Sequence, residues 1–338
     1  MRLICLLVLL PATSLAQGFA GLGTDAEGFA LPDPDYAIAF PRDHGPHSDY
    51  RIEWWYVTAT LTGEDGRDYG VQWTLFRSAL APGEADAQVW MGHAGITTPE
   101  RHFAAERFAR GGVGLAGVEA EPFRAWIDEW SMEGPSLSDV TMTARGPEAG
   151  FALDLVAEGP FVLQGALGYS VKSAEGQASH YYSQPFYRAE GVIDLPSGPV
   201  AVAGDAWLDR EWSSQPLSEG QTGWDWFSLS FEGGERMMGF RLRGGGDYTS
   251  ATWIEADGTP TPYGDGALRV TPLRVAEVAG RDVPVEWRVE LPAEGVDVRT
   301  VPLNEDAWMG VSVPYWEGPL RFEGTHEGRG YLEMTGYE

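Results

Sequence analysis

The chain has 338 residues, a net charge of −27, 14 tryptophans and a single cysteine. So negative a surface repels nucleic acid and anionic lipid, which excludes both as partners. One thiol, Cys5, excludes disulfides and thiolate metal sites.

The chain opens MRLICLLVLLPATSLAQG, with one positive residue (Arg2), a short apolar run, a proline and the small residues Ser14 and Ala16. This pattern predicts a secretory signal peptide over residues 1–16. The run is too short to span a bilayer, and no later segment is long and apolar enough. Cleavage would remove Cys5 and place the mature protein in the periplasm or the medium. Without disulfides such a protein must rest on its hydrophobic core.

The densest motif follows at Phe40–Tyr56, FPRDHGPHSDYRIEWWY. Period-2 alternation puts Arg51, Glu53, Trp55 and Val57 on one face of a strand, and Ile52, Trp54 and Tyr56 on the other. With bulky groups on both faces, neither is expected to be bathed in water. Glu53 must then pair with an arginine or take up a proton. His44 and His47 could reach a metal with Asp43 or Asp49, but this spacing in a Pro/Gly loop is a weak signal, and hydrogen bonding is the better explanation of both histidines. His93 and His180, each beside aromatics, read as satisfied core residues.

Short strands are predicted at Val71–Phe76, Phe151–Val156 and Pro199–Trp207, with a helix best supported at Pro99–Arg110. Lys172, the only lysine, sits in SVKSAEG and reads as a solvated loop residue. In GDAWLDREWSS (Gly204–Ser214), Asp209 and Glu211 share a face with Trp207, as expected of an ion-pair network. Residues 213–222 (SSQPLSEGQT) are the most linker-like interval and mark a boundary between two units. Next comes GWDWFSLSF (Gly223–Phe231). Its alternation sets Asp225, Phe227, Leu229 and Phe231 inward, leaving Asp225 to find an arginine such as Arg210 or Arg241 or to stay protonated. Further strands are expected at Met237–Leu242, Ala251–Ile254, Leu268–Val270, Val285–Leu291, Leu320–Glu323 and Tyr331–Met334. Turns at Asp65-Gly66, Gly233-Gly234 and Asp257-Gly258 separate strands. With 44 glycines and 23 prolines, the chain reads as all-β, built of barrels or sandwiches.

FPRDHG (Phe40–Gly45), EWWY (Glu53–Tyr56), AWLDREWS (Ala206–Ser213), WDWFSL (Trp224–Leu229) and YWEGPLRFEGTHEGRGYLEMTGY (Tyr315–Tyr337) together carry a resemblance. The chain resembles the carotenoid 1,2-hydratase (hydroxyneurosporene synthase) and AttH-like family of lipocalin-like proteins. This resemblance implies two consecutive lipocalin-like antiparallel β-barrel domains, here residues 17–212 and 213–338. For some members it implies cofactor-free hydration of a terminal carotenoid double bond, a hydro-lyase reaction. The AttH-like branch resembles accessory proteins encoded beside transporter components, which implies envelope transporter partners and agrees with export. Carotenoid synthesis is reached from the cytoplasmic side, so an exported member would meet a different apolar, isoprenoid- or lipid-like ligand.

Hydrating an isolated alkene needs a neutral carboxylic acid in an apolar pocket, aromatic faces for the cation, and a water with a base. Asp225 suits the acid, with Glu53 or Asp209 as alternatives. Trp54, Trp55, Tyr56, Trp224, Trp226 and Phe227 are the expected ligand-binding set. No metal or cofactor is expected. Neither a G-x-S-x-G elbow nor an H-E-x-x-H or G-x-x-x-x-G-K motif occurs. Without turnover, the same hollow would serve a ligand carrier, and a filled one a scaffold.

Overall fold

The computed structural model describes residues 26–337 apart from 85, 216 and 219, so the expected signal peptide lies outside the described residues. Among these, helix is confined to two single 3₁₀ turns, Arg42–His44 and Pro292–Glu294, and none is long and apolar enough to cross a membrane. Two antiparallel sheets make up the rest, one of 13 strands and one of 10.

In the first sheet, Ile52–Gly63 lies between Asp68–Ala79 and Gly198–Ser213, and the order runs on through Ala178–Leu195 to Ala116–Ala120. The sheet curls until its edge strand His102–Arg110 meets Phe123–Ile127, giving a nearly closed barrel. In the second, Gly223–Phe231 lies between Arg236–Arg243 and Gly328–Met334, with Tyr315–Gly324 beyond, and the curl stops at a half-barrel. The fold is therefore the all-β, twin-barrel type expected from the resemblance.

Alternation decides which side chains fill each hollow. Trp55, Val57, Trp73, Leu75, Trp130 and Trp212 fill the first. Phe227, Leu229, Phe231, Val285, Trp287 and Val289 fill the second. The two curled sheets then bury their outer faces against each other, through Tyr56, Tyr181, Trp207, Trp226, Met238 and Phe240. Each such side chain removed from water contributes roughly 1.5–3 kcal/mol. At the first hairpin, Gly66 takes the left-handed φ of 77° that an Asp-Gly turn requires.

The segment Pro99–Arg110 is not a helix. His102–Arg110 is an edge strand paired with Gln88–Thr97. Its Ala, Glu and Arg content favours helix, but the open ladder of the neighbouring strand overrides that preference. Most of its residues are half-buried, so no alternation marks it.

Glu53 lies inside the first barrel, where register places Arg77 directly opposite on one side. Its carboxylate accepts from Arg77 Nε and Arg210 NH2, and from the His47 backbone N–H at 2.9 Å. Arg210 in turn stacks 3.8 Å from the centre of Trp55. These two guanidiniums hold the Glu53 carboxyl well below the usual carboxylate range despite complete burial. Asp43, also buried, ties the Phe40–His47 loop down by accepting from Tyr36 at 2.9 Å, the Ala39 N–H at 2.7 Å and Arg42 Nε at 2.7 Å. Replacing Glu53 by Gln leaves Arg77 and Arg210 buried without a counter-charge. Chemical denaturation of this variant should show a loss of about 3–5 kcal/mol. A loss within about 0.5 kcal/mol, typical of a surface change, would contradict the role given to this pair.

Candidate functional site

A pocket of about 100 Å³ opens between the sheets. One wall comes from the outer face of the first sheet. Register aligns Trp54 with Glu211 and Phe76, and Tyr56 with Asp209. On the next strand Tyr181 stands opposite Glu211, and Ser183 opposite Asp209. The facing wall comes from the second sheet, where Trp224 pairs with Leu242, and Trp226 with Phe240 and Glu333. The lining is rich in aromatic residues, with Asp209, Glu211, Lys172 and Glu333 among its charged or acidic members and the paired Glu53 and Arg77 at its border.

Asp209 is the carboxyl on the first sheet's wall of this pocket whose pKa is raised. Trp207 Nε1 donates to its Oδ1 at 2.7 Å, Ser183 Oγ to the same atom at 2.5 Å, and Tyr181 Oη to Oδ2 at 2.6 Å. Tyr181 is itself held by Trp226 Nε1 at 3.2 Å from the opposite sheet. These donors favour the carboxylate, yet burial outweighs them and the neighbouring charge of Glu211 adds to it. The pKa rises to about 7.

Glu333 is half-buried at the facing wall and accepts from Trp224 Nε1 at 2.5 Å. Burial, with a smaller contribution from Asp209 and Glu211, raises its pKa to about 7 against the pull of the Trp224 and Tyr56 donors. Behind it, Tyr56 Oη donates to the fully buried Glu317. Desolvation, reinforced by Glu333, pushes the Glu317 carboxyl well above the usual carboxylate range. Two carboxyls titrating near neutrality thus share one aromatic pocket, an arrangement suited to moving a proton at pH 7.

The structure brings together Asp209, Trp54, Tyr56, Trp224 and Trp226 from the sequence-derived set. It separates others. Asp225 shares a face with Phe227, so it points away from the pocket, with Arg243 Nε at 3.2 Å, Arg241 NH1 at 3.9 Å and Tyr337 Oη donating at 2.9 Å. Burial raises its pKa to about 6 against those cations, but the lining of this pocket does not include it. Phe227 belongs to the second core and Trp55 to the first, where it donates to the His44 carbonyl at 2.9 Å. Glu53 borders the pocket, but its ionised, doubly paired carboxylate has no proton to give.

Lys172 is not solvated. It is buried and pairs with Glu211 at 2.8 Å, because the turn carrying it folds over the pocket wall. His44 Nδ1 lies 2.7 Å from Tyr182 Oη, and His47 bonds Glu53 and Asp43. No three metal-binding side chains cluster among the described residues.

Glu333 and Glu317 were missed by sequence reasoning. The available signal was an acid alternating with apolar residues in Tyr315–Gly324 and Gly328–Met334; only the register, Glu317 opposite Glu333, unites them.

The raised pKa of Asp209 has a consequence for stability. Between the unfolded value of 3.8 and the folded value of about 7, the native state binds the extra proton, so stability falls as pH rises through this window. Asp209→Asn carries no such proton. Relative to wild type, the variant should gain roughly 2–4 kcal/mol between pH 4 and 7, then plateau. Denaturant unfolding at successive pH values measures this; a flat difference across the window would contradict the buried-acid assignment.

Comparison with known proteins agrees with this architecture. The profile of the AttH-like family matches residues 31–337. An AttH protein from Nitrosomonas europaea superposes with a TM-score of 0.83 at 31% identity, covering 91% of this chain and 99% of its own. Kievitone hydratase from Nectria haematococca shares the fold with a TM-score of 0.68 at 16% identity, covering 92% and 97%. CghA, solved with Sch210972, does so with a TM-score of 0.57 at 14% identity, covering 93% and 97%. No curated protein sequence matches the chain. A match across almost all the described residues, together with the twin curled sheets, establishes that the chain belongs to the AttH-like family.

Proposed function

We propose that this protein is an exported, cofactor-independent hydro-lyase that adds water across a carbon–carbon double bond of an apolar ligand held between its two sheets. The observation carrying this reading is the pair of carboxyls, Asp209 and Glu333, raised to about 7 on facing walls of one aromatic pocket. Kievitone hydratase, which shares the fold, is by its name a hydratase and supports the reaction class.

Asp209 is assigned as the acid. Its proton passes to one alkene carbon, the π bond supplies the new C–H bond, and the adjacent carbon becomes cationic. The resulting carboxylate is received by donors already in place, from Trp207, Ser183 and Tyr181. The faces of Trp54, Trp224 and Trp226 stabilise the cation. Water then forms the C–O bond and surrenders a proton to Glu333, which acts as base. One proton distributed over both acids near pH 7 supplies the acid and the base together.

The test uses 2-isopropenylnaphthalene in ¹⁸O-labelled water, with mass spectrometry of the product. Wild type should add one labelled water, with rates falling above pH 7 as the acid ionises. Asp209→Asn should lose about 10²–10⁴-fold in rate while the probe still quenches tryptophan emission. Unchanged turnover in that variant would remove Asp209 from the mechanism. A second reading, a non-catalytic carrier or an accessory to an envelope transporter, rests on the apolar lining alone and predicts quenching without any product.

A further inference from the structure

Lys172 follows the strand Tyr169–Val171, and its backbone is pinned from both sides. Its N–H donates to the Gln177 carbonyl at 2.7 Å, and its own carbonyl accepts from Gln221 Nε2 at 3.0 Å. The side chain is 10% exposed, and Nζ lies 2.8 Å from Glu211 Oε1. Nζ also stands 4.8 Å from the centre of the Tyr181 ring and 4.3 Å from that of Phe240, both in the pocket lining. Glu211 is held by a hydrogen bond from Ser179 Oγ.

An ammonium group has three donors. Glu211 takes one, the two rings cover part of the remainder, and no other oxygen bonds Nζ among the described residues. A hydrocarbon entering the pocket would strip water from the remaining donors and give nothing back. An anionic ligand would gain Lys172 but stand beside the Glu211 carboxylate. A neutral oxygen acceptor satisfies the donors without either cost.

The structure assigns Lys172 as the residue that hydrogen-bonds a carbonyl oxygen of the ligand, which makes that ligand an aromatic or conjugated carbonyl compound rather than a pure hydrocarbon. This rests on the proposed ligand pocket and names its substrate class. Lys172 then fixes which end of the ligand lies at the Glu211 side and which faces the acids. It is a specificity determinant and takes no proton in the reaction.

Equilibrium dialysis with two probes of similar shape tests the assignment. 2-Acetylnaphthalene carries the carbonyl, and 2-isopropylnaphthalene replaces its oxygen with a methyl group. Wild type should bind the ketone about tenfold more tightly or better. The double variant Lys172→Met, Glu211→Gln removes both partners, so no buried charge is orphaned. Its preference should vanish, with 2-isopropylnaphthalene bound at least as tightly as by wild type, because the donors that the hydrocarbon strands are gone. Equal affinities in wild type would overturn the Lys172 assignment and leave the pocket standing, a comparison that needs no variant to fold. A ketone preference surviving in the double variant would overturn it too. If neither probe binds wild type, both the assignment and the pocket fall.

Discussion

The exclusion of water between two curled sheets governs the chemistry of this protein. Each sheet must hide its hollow side around its own core, and the two outer faces must then cover one another. Tyr56, Tyr181, Trp207, Trp226 and Phe240 form that shared layer. Any acid projecting into it loses hydration on both sides, and that loss exceeds the stabilisation offered by neutral donors. For Asp209 three donors are arrayed around the carboxylate, and desolvation still prevails.

Strand parity separates the acids paired with arginines from the acid that faces the pocket. Glu53 and Asp209 lie on adjacent paired strands, yet their side chains emerge on opposite faces. Inward, Glu53 meets Arg77 and Arg210 and is held ionised. Outward, Asp209 meets hydroxyls and an indole, and its proton is retained toward neutrality. The same division applies across Gly223–Phe231. Asp225 turns toward Arg243 and Tyr337, while Trp224 and Trp226 turn to the pocket. A one-residue change of register would exchange these roles, so the chemistry depends on pairing geometry as much as on residue type.

Much of the architecture was legible because it rests on short-range pattern. Alternation in Val285–Leu291 and Phe227–Phe231, and the Asp65-Gly66 turn, identify strands and a hairpin directly. The candidate site was legible only in part. Local alternation correctly grouped Trp54 with Tyr56, and Asp209 with Trp207, but it cannot tell a barrel interior from an inter-sheet layer when both are apolar. That ambiguity put Trp55 and Phe227, which lie in the two cores, and Asp225, which shares Phe227's face, in one set with the pocket residues. Glu333 and Glu317 are contributed by strands far along the chain, and Lys172 by a turn that is polar in sequence yet folded over aromatic rings. Their significance arises largely from partners on other strands, Glu211 and Phe240 for Lys172, Trp224 for Glu333 and Tyr56 for Glu317, which no local period encodes.

The desolvated acid is the point on which the account stands. ¹³C-detected NMR titration of the aspartate and glutamate carboxyls, with Asp209 assigned by its absence in Asp209→Asn, reads its protonation directly. The account predicts a midpoint for Asp209 near 7, about three pH units above an exposed aspartate. A midpoint near 4 would mean that water reaches the carboxyl freely, and the inter-sheet pocket would then hold no proton to deliver.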